Sequence, residues 1–421
     1  MTEAEMPWLE IDRATGEVSL DSRHPGFFGN PYPTYERLRA IRPVFYWKQH
    51  GLWCFLNAAD VGAVLRDRRF GREVLPLPGV LRPPAAPVPE HVALFHAVNA
   101  QSMLEREPPV HTRLRTLVNR AFVARKIEHL RPRIAALANS LIDRFEARGR
   151  VDLIEAYATP IPVVVIAELL GVPTEVAPQL LDWSHRMVAM FQLGRTRAME
   201  DAAESATREF SDFLRAFVAD RRRTPGDDLI THLLAVEATG ERLSEDELIG
   251  TCILLLNAGH EATVHAIGNG VKALLEHGTD PAVAFASEAS TEATVEECLR
   301  YDPPLHLFNR YAQEDLQVAG LRLQRGAAVA LLYGAANRDP ARFPRADLFD
   351  PGRPLASPAA AHASFGGGIH FCLGAPLARL ELHVALPTLF KRLPGLALGA
   401  PPAYRDSYHF HGLEALHLAW S

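Results

Sequence analysis

Residues 365–374 read FGGGIHFCLG, and an apolar stretch with helical spacing follows them over 375–393. The three glycines allow a tight turn, so the sequence predicts that Cys372 lies at the N-terminus of that helix. Free N–H groups and the helix dipole stabilise a thiolate at such a position. A buried cysteine that acts only as a small apolar side chain is the alternative. The loop, the helix N-terminus and the neighbouring His370 together favour a metal ligand.

The four cysteines are isolated from one another in the sequence. Cys54, Cys252, Cys298 and Cys372 form no C-x-x-C pair. A disulfide framework and a structural zinc site are therefore disfavoured, and a reducing cytoplasm is expected. A single thiolate favours a metal whose other ligands come from a cofactor, and haem is such a group.

The composition is typical of a globular protein with a large core. Of the 421 residues, 48% are hydrophobic and 22% are charged, and the net charge is −6. The hydrophobic fraction excludes a disordered chain, and the lack of a basic excess argues against a nucleic-acid partner. No apolar stretch reaches the length of a membrane span, and the acidic N-terminus is unlike a signal peptide, so a cytoplasmic protein is expected. We predict a single domain over residues 1–421.

Helix predominates in the predicted secondary structure, with β-rich portions around 44–56 and 316–332. Aromatic and β-branched runs over 44–47 and 52–56 predict a hairpin. Six prolines over 76–89 predict an irregular loop, which is either a lid or a plain surface connection. Helical spacing of apolar residues covers 151–170, 181–191, 206–221 and 375–393.

The longest predicted helix begins at a capping box of Ser244 and Glu247 and ends at residues 277–278. It is apolar on most sides, which predicts that it crosses the interior. At its middle, Ala258 and Gly259 lack side-chain bulk. This indicates either an open space beside the helix or the close packing of another helix.

Polar groups follow in the same helix at Glu261 and Thr263. Such groups at core depth suit proton transfer, although a threonine within a helix commonly bonds to its own backbone. His260, Glu261 and His265 also come close to the zinc protease motif H-E-x-x-H. The second histidine is one residue late, and side chains five residues apart lie about 140° apart around a helix. A zinc protease is therefore disfavoured.

The cysteine segment resembles the haem-binding loop of the cytochrome P450 family, F-x-x-G-x-[HR]-x-C-x-G. Every fixed position of this pattern is matched, by Phe365, Gly368, His370, Cys372 and Gly374. The resemblance implies a mainly α fold with small β-sheets, a haem b cofactor, and Cys372 as the only protein ligand to its iron. It also implies a monooxygenase that inserts one oxygen atom from O2 into a C–H bond of a small apolar organic substrate.

Two further segments resemble motifs of this family in the same order along the chain. Residues 258–263, AGHEAT, are similar to the oxygen-activation motif A-G-x-[DE]-x-[ST]. The resemblance implies that Ala258 and Gly259 leave room for dioxygen over the haem. It also implies that Thr263 donates a hydrogen bond to iron-bound peroxide and that Glu261 relays protons from solvent.

The second segment is the E-x-x-R pair of Glu297 and Arg300, which share one face of a helix. In the family this pair binds an arginine upstream of the cysteine, and Arg353 stands at the expected place. The resemblance implies that the three residues are structural and form a buried charge network on the cysteine side of the fold.

Haem carries two propionates, which need cationic or neutral donors. His111 and Arg115 are four residues apart and share one helix face, as in the propionate-binding helix of the family. The family often has an acid where Val110 stands. Arg310 and His370 complete the expected set of haem-binding donors.

By family position, apolar residues are expected to line the substrate pocket, with His306 and His409 as polar anchors. Parts of 76–103 and 187–191 are expected to contribute as well. This wall suits a terpenoid, an aromatic molecule or a polyketide equally well. The expected lining residues are Leu255, Leu305, Leu307, Phe308 and Phe410.

No flavin or iron–sulfur segment remains once the haem domain is counted. The resemblance therefore implies electrons from a separate ferredoxin and its NAD(P)H-dependent reductase, and no membrane or nucleic-acid partner. A haem-thiolate sensor or carrier is the non-enzymatic alternative, which would share Cys372 but has no need of Glu261 and Thr263. A peroxide-driven peroxygenase is also open, although such members tend to replace the acid and alcohol pair that this chain retains.

Overall fold

The computed structural model describes residues 6–75, 88–121, 127–236, 242–353 and 362–421. Their secondary structure is mainly α-helical with small β-sheets, as predicted. The α-helices are Pro25–Phe28, Tyr32–Ile41, Ala58–Arg66, Ala93–Asn99, Val110–Ala121, Arg131–Asp143, Pro160–Leu170, Ala177–Val188, Arg197–Arg223, Leu229–Ala235, Glu245–Glu276, Pro281–Ala284, Glu288–Tyr301, Tyr333–Asn337 and Ala375–Arg392. Residues 76–87, most of the predicted proline-rich loop, lie outside the described residues.

Short helices and strands connect these segments. A π-helix covers Ile154–Ala158, and 3-10 turns cover Glu90–Val92, Met103–Glu105, Glu146–Arg148, Thr174–Val176, Ala189–Phe191 and Gly368–His370. The strands are β1 (Leu9–Ile11), β2 (Glu17–Leu20), β3 (Val44–Trp47), β4 (Leu52–Phe55), β5 (Phe70–Gly71), β6 (Arg150–Asp152), β7 (Leu307–Ala312), β8 (Leu316–Val318), β9 (Leu321–Leu323), β10 (Ala328–Leu332), β11 (Ala397–Leu398), β12 (Ala403–Tyr404), β13 (Leu413–Ala415) and β14 (His417–Ala419).

The contacts between residues divide the chain into two compact units. The first unit consists of Met1–Gly71, Ile134–Thr159 and Ala262–Ser421, and the second of Arg72–Arg133 and Pro160–Glu261. The single domain over residues 1–421 stays a prediction. Within the described part of the chain, no helix is both long and apolar enough to cross a membrane.

All of the described strands belong to the first unit. Seven of them form one sheet in the order β1-β2-β3-β4-β10-β7-β5. The predicted hairpin forms as antiparallel β3 and β4, with Val44 opposite Phe55. The predicted β-rich portion over 316–332 contains β8, β9 and β10. Phe55 is fully buried, as expected for aromatic side chains on the inner face of a half-buried sheet.

The described secondary structure of the second unit is entirely helical. Helix Ala177–Val188 packs on helix Arg197–Arg223 through Trp183, whose ring stacks on Phe210 with centroids 5.1 Å apart. The indole N–H of Trp183 also donates a 2.8 Å hydrogen bond to the Glu209 carboxylate. This pairing fixes the helix that carries His185, a residue of the site described below.

The central helix, Glu245–Glu276, confirms the longest predicted helix. The Ser244 hydroxyl accepts from the Glu247 N–H at 3.2 Å, and the Glu247 carboxylate accepts from the Ser244 N–H at 2.9 Å, as in the predicted capping box. The helix ends before Gly278, whose φ of 58° suits glycine. The boundary between the two units falls within this helix, after Glu261.

Candidate active site

The cysteine loop, residues 363–374, is closed by backbone hydrogen bonds across its glycines. The Gly366 N–H donates to the Ala363 carbonyl at 2.8 Å, and the Cys372 N–H donates to the Phe365 carbonyl at 2.9 Å. These bonds set the direction in which the cysteine side chain leaves the loop. The local geometry therefore follows from the glycine-rich sequence.

One glycine of this loop is required by its neighbours. Gly368 has a φ of 66°, and a Cβ atom added to it would lie 2.2 Å from the Leu65 carbonyl oxygen. That oxygen belongs to the backbone of helix Ala58–Arg66 and cannot move aside like a flexible side chain. Any side chain at this position would therefore push the loop away from the helix.

Cys372 differs from the other three cysteines in exposure. All four lie among the described residues; Cys54, Cys252 and Cys298 are buried, whereas Cys372 is half-buried. Burial raises the pKa of the Cys252 thiol to about 12 and raises the pKa of the Cys54 and Cys298 thiols as well. These three cysteines are protonated at neutral pH. Cys372 is the one cysteine placed to offer a thiolate to a metal.

The cysteine helix, Ala375–Arg392, begins three residues after Cys372. Gly374 precedes its first turn, and a Cβ atom added there would lie 3.9 Å from the Cys372 Sγ atom. This separation is an ordinary van der Waals distance, so Gly374 lies directly beside the sulfur. Free N–H groups at the start of the helix favour negative charge nearby. This environment fits a thiolate ligand to haem iron.

Glu297, Arg300 and Arg353 form the ion-pair network of this site. Arg300 donates two hydrogen bonds of 2.7 Å to the Glu297 carboxylate, and Arg353 Nε lies 3.3 Å from Glu297 Oε2. All three side chains are buried. Arg300 also donates to three backbone carbonyls, those of Asn337, Ala346 and Leu348. The buried charges are therefore paired and hydrogen-bonded, as buried ions require.

Asn337 links the ion-pair network to the cysteine loop. Its carbonyl accepts from Arg300, its side-chain amide donates to the Ser364 hydroxyl at 2.8 Å, and its Oδ1 accepts from the Ala363 N–H at 2.7 Å. The Ser364 hydroxyl in turn donates to the Leu299 carbonyl at 2.7 Å. The network therefore holds the residues from which the loop starts.

Glu296, a second buried carboxylate, was not predicted from the sequence. Arg379 donates to it at 2.6 and 2.9 Å, and His362 Nε2 lies 3.2 Å from it. The Arg379 guanidinium also lies 4.4 Å from the centroid of the Phe365 ring. Burial raises the pKa of Glu296, but Arg379 and His362 more than offset this and lower it to about 2. This cluster therefore connects the start of the cysteine loop with Arg379 of the cysteine helix.

Stability in acid is expected to depend on Glu296. Because its pKa is lowered from 4.5 to about 2 in the folded protein, the carboxylate stabilises the fold by about 3 kcal/mol above pH 4.5. This contribution is lost as the pH falls towards 2. Urea unfolding of wild type and Glu296→Gln should show a difference at pH 7 that shrinks to about half at pH 3. The exposed Glu175→Gln is the control, and a difference for Glu296→Gln that does not change with pH would contradict the assignment.

Thr263 is buried on the central helix and faces Glu381 of the cysteine helix, another carboxyl that the sequence analysis missed. Both side chains belong to the first unit and are almost fully buried. Burial raises the pKa of Glu381 well above its usual range, and the Thr263 hydroxyl offsets part of this rise. A carboxyl that keeps its proton beside a hydroxyl can orient that hydroxyl by hydrogen bonding. The sequence does hold a sign of this residue's role, because Glu381 is an acid on the apolar face of the cysteine helix.

The predicted propionate donors divide between the two units. In the first unit, Arg310 is buried on β7, and His370 is half-buried at the end of the 3-10 turn of the cysteine loop. In the second unit, His111 is buried and Arg115 is half-buried, one turn apart on helix Val110–Ala121. Val110, the first residue of that helix, is exposed.

Ala258 and Gly259 differ in their surroundings. Ala258 is exposed in the middle of a largely buried helix. A Cβ atom added to Gly259 would lie 3.3 Å from the Ile166 side chain, so helix Pro160–Leu170 packs closely there. Both sequence interpretations therefore apply, an uncovered side at Ala258 and close helix packing at Gly259. Leu255, a predicted lining residue one turn earlier, is buried.

Glu261 is buried in the second unit beside two histidines. Its Oε2 lies 3.3 Å from His185 Nε2 and 3.5 Å from His260 Nε2. The His185 side chain is 41% exposed, whereas that of Glu261 is 8% exposed. His185 therefore links the buried carboxylate with solvent, as a proton relay requires. Sequence reasoning missed His185 because it lies on a different helix, far away in the chain.

Three predicted lining residues of the first unit lie together. Leu305 and Phe410 form an antiparallel bridge. The Phe308 ring lies 5.9 Å from that of His409, which lies 4.8 Å from that of Phe410. Leu307, another predicted lining residue, is buried on β7. His409 is therefore a polar side chain that lies beside apolar residues predicted to line the pocket.

His306 was expected to be a polar anchor in the substrate pocket, and the structure contradicts this. Its ring is fully buried, with Nδ1 2.8 Å from the Tyr35 hydroxyl, and burial lowers the pKa of His306 well below its usual range. The nearby Asp302 carboxylate accepts from Tyr32 at 2.5 Å and lies 3.2 Å from His411 Nε2. His306 therefore belongs to a buried polar cluster that joins the N- and C-terminal segments of the first unit.

Comparison with known proteins identifies the family. A family model described as Cytochrome P450 matches residues 83–279 and 289–394. The polyketide biosynthesis cytochrome P450 PksS of Bacillus subtilis (strain 168) is 36% identical over 405 residues, which cover 94% of this chain and 97% of that protein. The 6-deoxyerythronolide B hydroxylase of Saccharopolyspora erythraea is 37% identical over 409 residues, which cover 95% and 97%.

Solved structures agree with this result. The crystal structure of P450BioI in complex with hexadec-9Z-enoic acid ligated acyl carrier protein gives a TM-score of 0.86 at 34% identity. The match covers 94% of this chain and 100% of that chain. With its single half-buried cysteine in a glycine-rich loop, the chain thus belongs to the cytochrome P450 family of haem-dependent monooxygenases, which use O2 and redox partners.

Proposed function

We propose that the protein binds haem b and inserts one atom of O2 into a C–H bond of a small apolar organic substrate. The observation that carries this proposal is the position of Cys372, which is the only one of the four cysteines that is not buried. Haem bound there supplies the activation of O2. The side chains of the protein hold the haem, move protons and enclose the substrate.

The assignment to haem b rests on the cysteines. Covalent attachment of haem through thioethers, as in c-type haem proteins, requires a C-x-x-C-H segment, which the sequence does not contain. In this proposal Cys372 alone binds the iron, and Phe365 and Gly374 shape the space around its sulfur. A separate set of donors, namely His111, Arg115, Arg310 and His370, would hold the propionates by hydrogen bonds.

The proton path is proposed to use two carboxyl groups and one hydroxyl. Glu261 exchanges protons with solvent through the half-exposed His185. Thr263 holds a proton beside the place where O2 reacts. Glu381, whose pKa burial raises, keeps its own proton and orients the Thr263 hydroxyl by hydrogen bonding.

Thr263→Ala is expected to uncouple oxygen consumption from product formation. Without the hydroxyl, protons are no longer directed to the oxygen atom that must leave as water for product to form. The product formed per NADH consumed therefore falls on the order of tenfold, and hydrogen peroxide is released. Haem content and substrate binding are expected to stay unchanged. Thr251→Ala, at another buried threonine of the central helix, is the matched control. An unchanged ratio in Thr263→Ala would remove this residue from the mechanism.

Electrons are proposed to come from a ferredoxin and its NAD(P)H-dependent reductase. The exposed Ile369 lies three residues before Cys372, so the cysteine loop has an accessible surface near the metal ligand. Reconstitution with a ferredoxin and a reductase tests this proposal. Product formed only with added hydrogen peroxide would favour a peroxygenase, and absence of product with either system would favour a sensor.

The substrate class can be identified by the shift of the Soret band that accompanies displacement of water from the iron. The apolar side chains of Leu305, Phe308 and Phe410 support an apolar ligand. The relative PksS is named for polyketide biosynthesis, and the P450BioI structure holds a fatty acyl chain on its carrier protein. Polyketides and fatty acyl compounds therefore come first in the panel.

A further inference from the structure

We propose that His185, His260 and Glu261 bind a divalent transition-metal ion, Zn²⁺ above all, at a site separate from Cys372. One ligand atom from each residue lies within 4.8 Å of the others. Glu261 Oε2 is 3.3 Å from His185 Nε2 and 3.5 Å from His260 Nε2. In a tetrahedral zinc site with metal–ligand distances of about 2.1 Å, neighbouring ligand atoms lie about 3.4 Å apart. These two separations therefore match those of a zinc site.

The hydrogen bonding of His260 prepares its ring for a metal. Its Nδ1 atom lies 2.8 Å from the Leu256 carbonyl oxygen. A carbonyl oxygen only accepts, so the proton is on Nδ1, and in the neutral ring Nε2 carries the lone pair. Metal-binding histidines commonly donate their second nitrogen to a carbonyl or carboxylate, which fixes both tautomer and ring orientation.

The chemistry of the three ligands selects the class of metal. Two imidazoles and one carboxylate suit Zn²⁺ and similar ions, whereas Mg²⁺ and Ca²⁺ prefer oxygen ligands throughout. The half-exposed His185 provides an entrance from solvent, and His260 and Glu261 form the buried floor. Three protein ligands leave one tetrahedral position for water.

The arrangement also differs from the H-E-x-x-H motif considered above. That motif takes its second histidine from the same helix, but His265 lies beside Phe410, with ring centroids 6.5 Å apart. Here the second histidine is His185, from helix Ala177–Val188. The site therefore depends on the packing of two helices of the second unit.

Occupation of this site has a consequence for activity that rests on the proposed function. Glu261 is the carboxylate assigned to proton exchange with solvent, and a carboxylate bound to Zn²⁺ is no longer free to accept a proton. Zn²⁺ is therefore expected to inhibit product formation while haem stays bound.

Direct binding tests the site without reference to activity. The haem-loaded protein is titrated with Zn²⁺ in competition with a chromogenic zinc indicator. We expect one tight site in the wild type and an affinity reduced about tenfold or more in His185→Asn. His417→Asn, at an exposed histidine of β14, is the matched control and should retain the site. Equal affinity in wild type and His185→Asn would overturn the proposal.

Measurements of turnover distinguish the metal site itself from its proposed effect on proton delivery. Relative to the metal-free rate of each protein, Zn²⁺ should lower product formation more in wild type than in His185→Asn, whereas Mg²⁺ at the same concentration should have no effect on either. Binding that depends on His185 but does not inhibit would support the metal site and contradict the role of Glu261 in proton delivery. Inhibition equal in both proteins would count against the site.

Discussion

Cys372→Ser is expected to lose the red-shifted Soret band that thiolate-bound haem gives after reduction and treatment with carbon monoxide. A serine hydroxyl stays protonated at neutral pH and does not replace the thiolate as an electron-rich ligand. Monooxygenase turnover is expected to fall below detection for the same reason. The measurement is a carbon monoxide difference spectrum of the purified protein, with haem content determined separately.

Cys298→Ala is the matched control for this experiment. Cys298 is buried in helix Glu288–Tyr301, and burial raises the pKa of its thiol. Its removal should leave the band in place. Cys372 is not the ligand if Cys372→Ser retains the red-shifted band. The same conclusion holds if Cys298→Ala is the only one of the two variants that loses it.

Arg300→Ala is expected to destabilise the protein by about 3 to 5 kcal/mol and to reduce haem retention. The substitution leaves the Glu297 carboxylate buried without the two 2.7 Å hydrogen bonds that Arg300 donates to it. It also removes a donor from three backbone carbonyls, of which that of Leu348 still accepts from Arg353, so the loss exceeds that of a single ion pair. Urea unfolding followed by far-ultraviolet circular dichroism measures the change.

Two further variants show whether the shape or the charge of the Arg300 side chain accounts for its contribution to stability. Arg300→Lys keeps the charge but lacks the forked guanidinium, so it should recover only part of the lost stability. Arg345→Ala removes an exposed arginine 3.6 Å from Asp350, and a surface pair of this kind contributes about 0 to 1 kcal/mol. Equal stabilities of Arg300→Ala and Arg345→Ala would refute a structural role for the buried network.

The secondary structure could largely be predicted from local patterns. The capping box at Ser244, the apolar run of the central helix and the aromatic hairpin over 44–56 each depend on neighbouring residues, and the structure contains all of them. The same holds for the cysteine loop, because its glycines determine its turns. A resemblance over several short motifs was enough to identify the family.

Side chains that meet only through tertiary packing could not be predicted in this way. Glu296 acquires its partner Arg379 from the cysteine helix, and Glu381 acquires Thr263 from the central helix. The prediction for His306 was wrong because family position alone did not indicate Tyr35, which comes from the N-terminal part of the chain and binds its ring. For Gly259, the sequence left open two interpretations, and the approach of Ile166 decides in favour of close packing there.

The anchoring of the cysteine loop by Asn337 has a consequence for how new substrate preferences arise. Asn337 and Ser364 hold the start of the loop through hydrogen bonds to backbone groups and to each other. Phe308 and Phe410, in contrast, are apolar side chains whose rings lie 5.9 and 4.8 Å from that of His409. Apolar side chains such as these two phenylalanines can be exchanged for others of similar size at little cost to stability. Variation in the predicted lining residues can therefore accumulate over generations while Cys372 keeps its position.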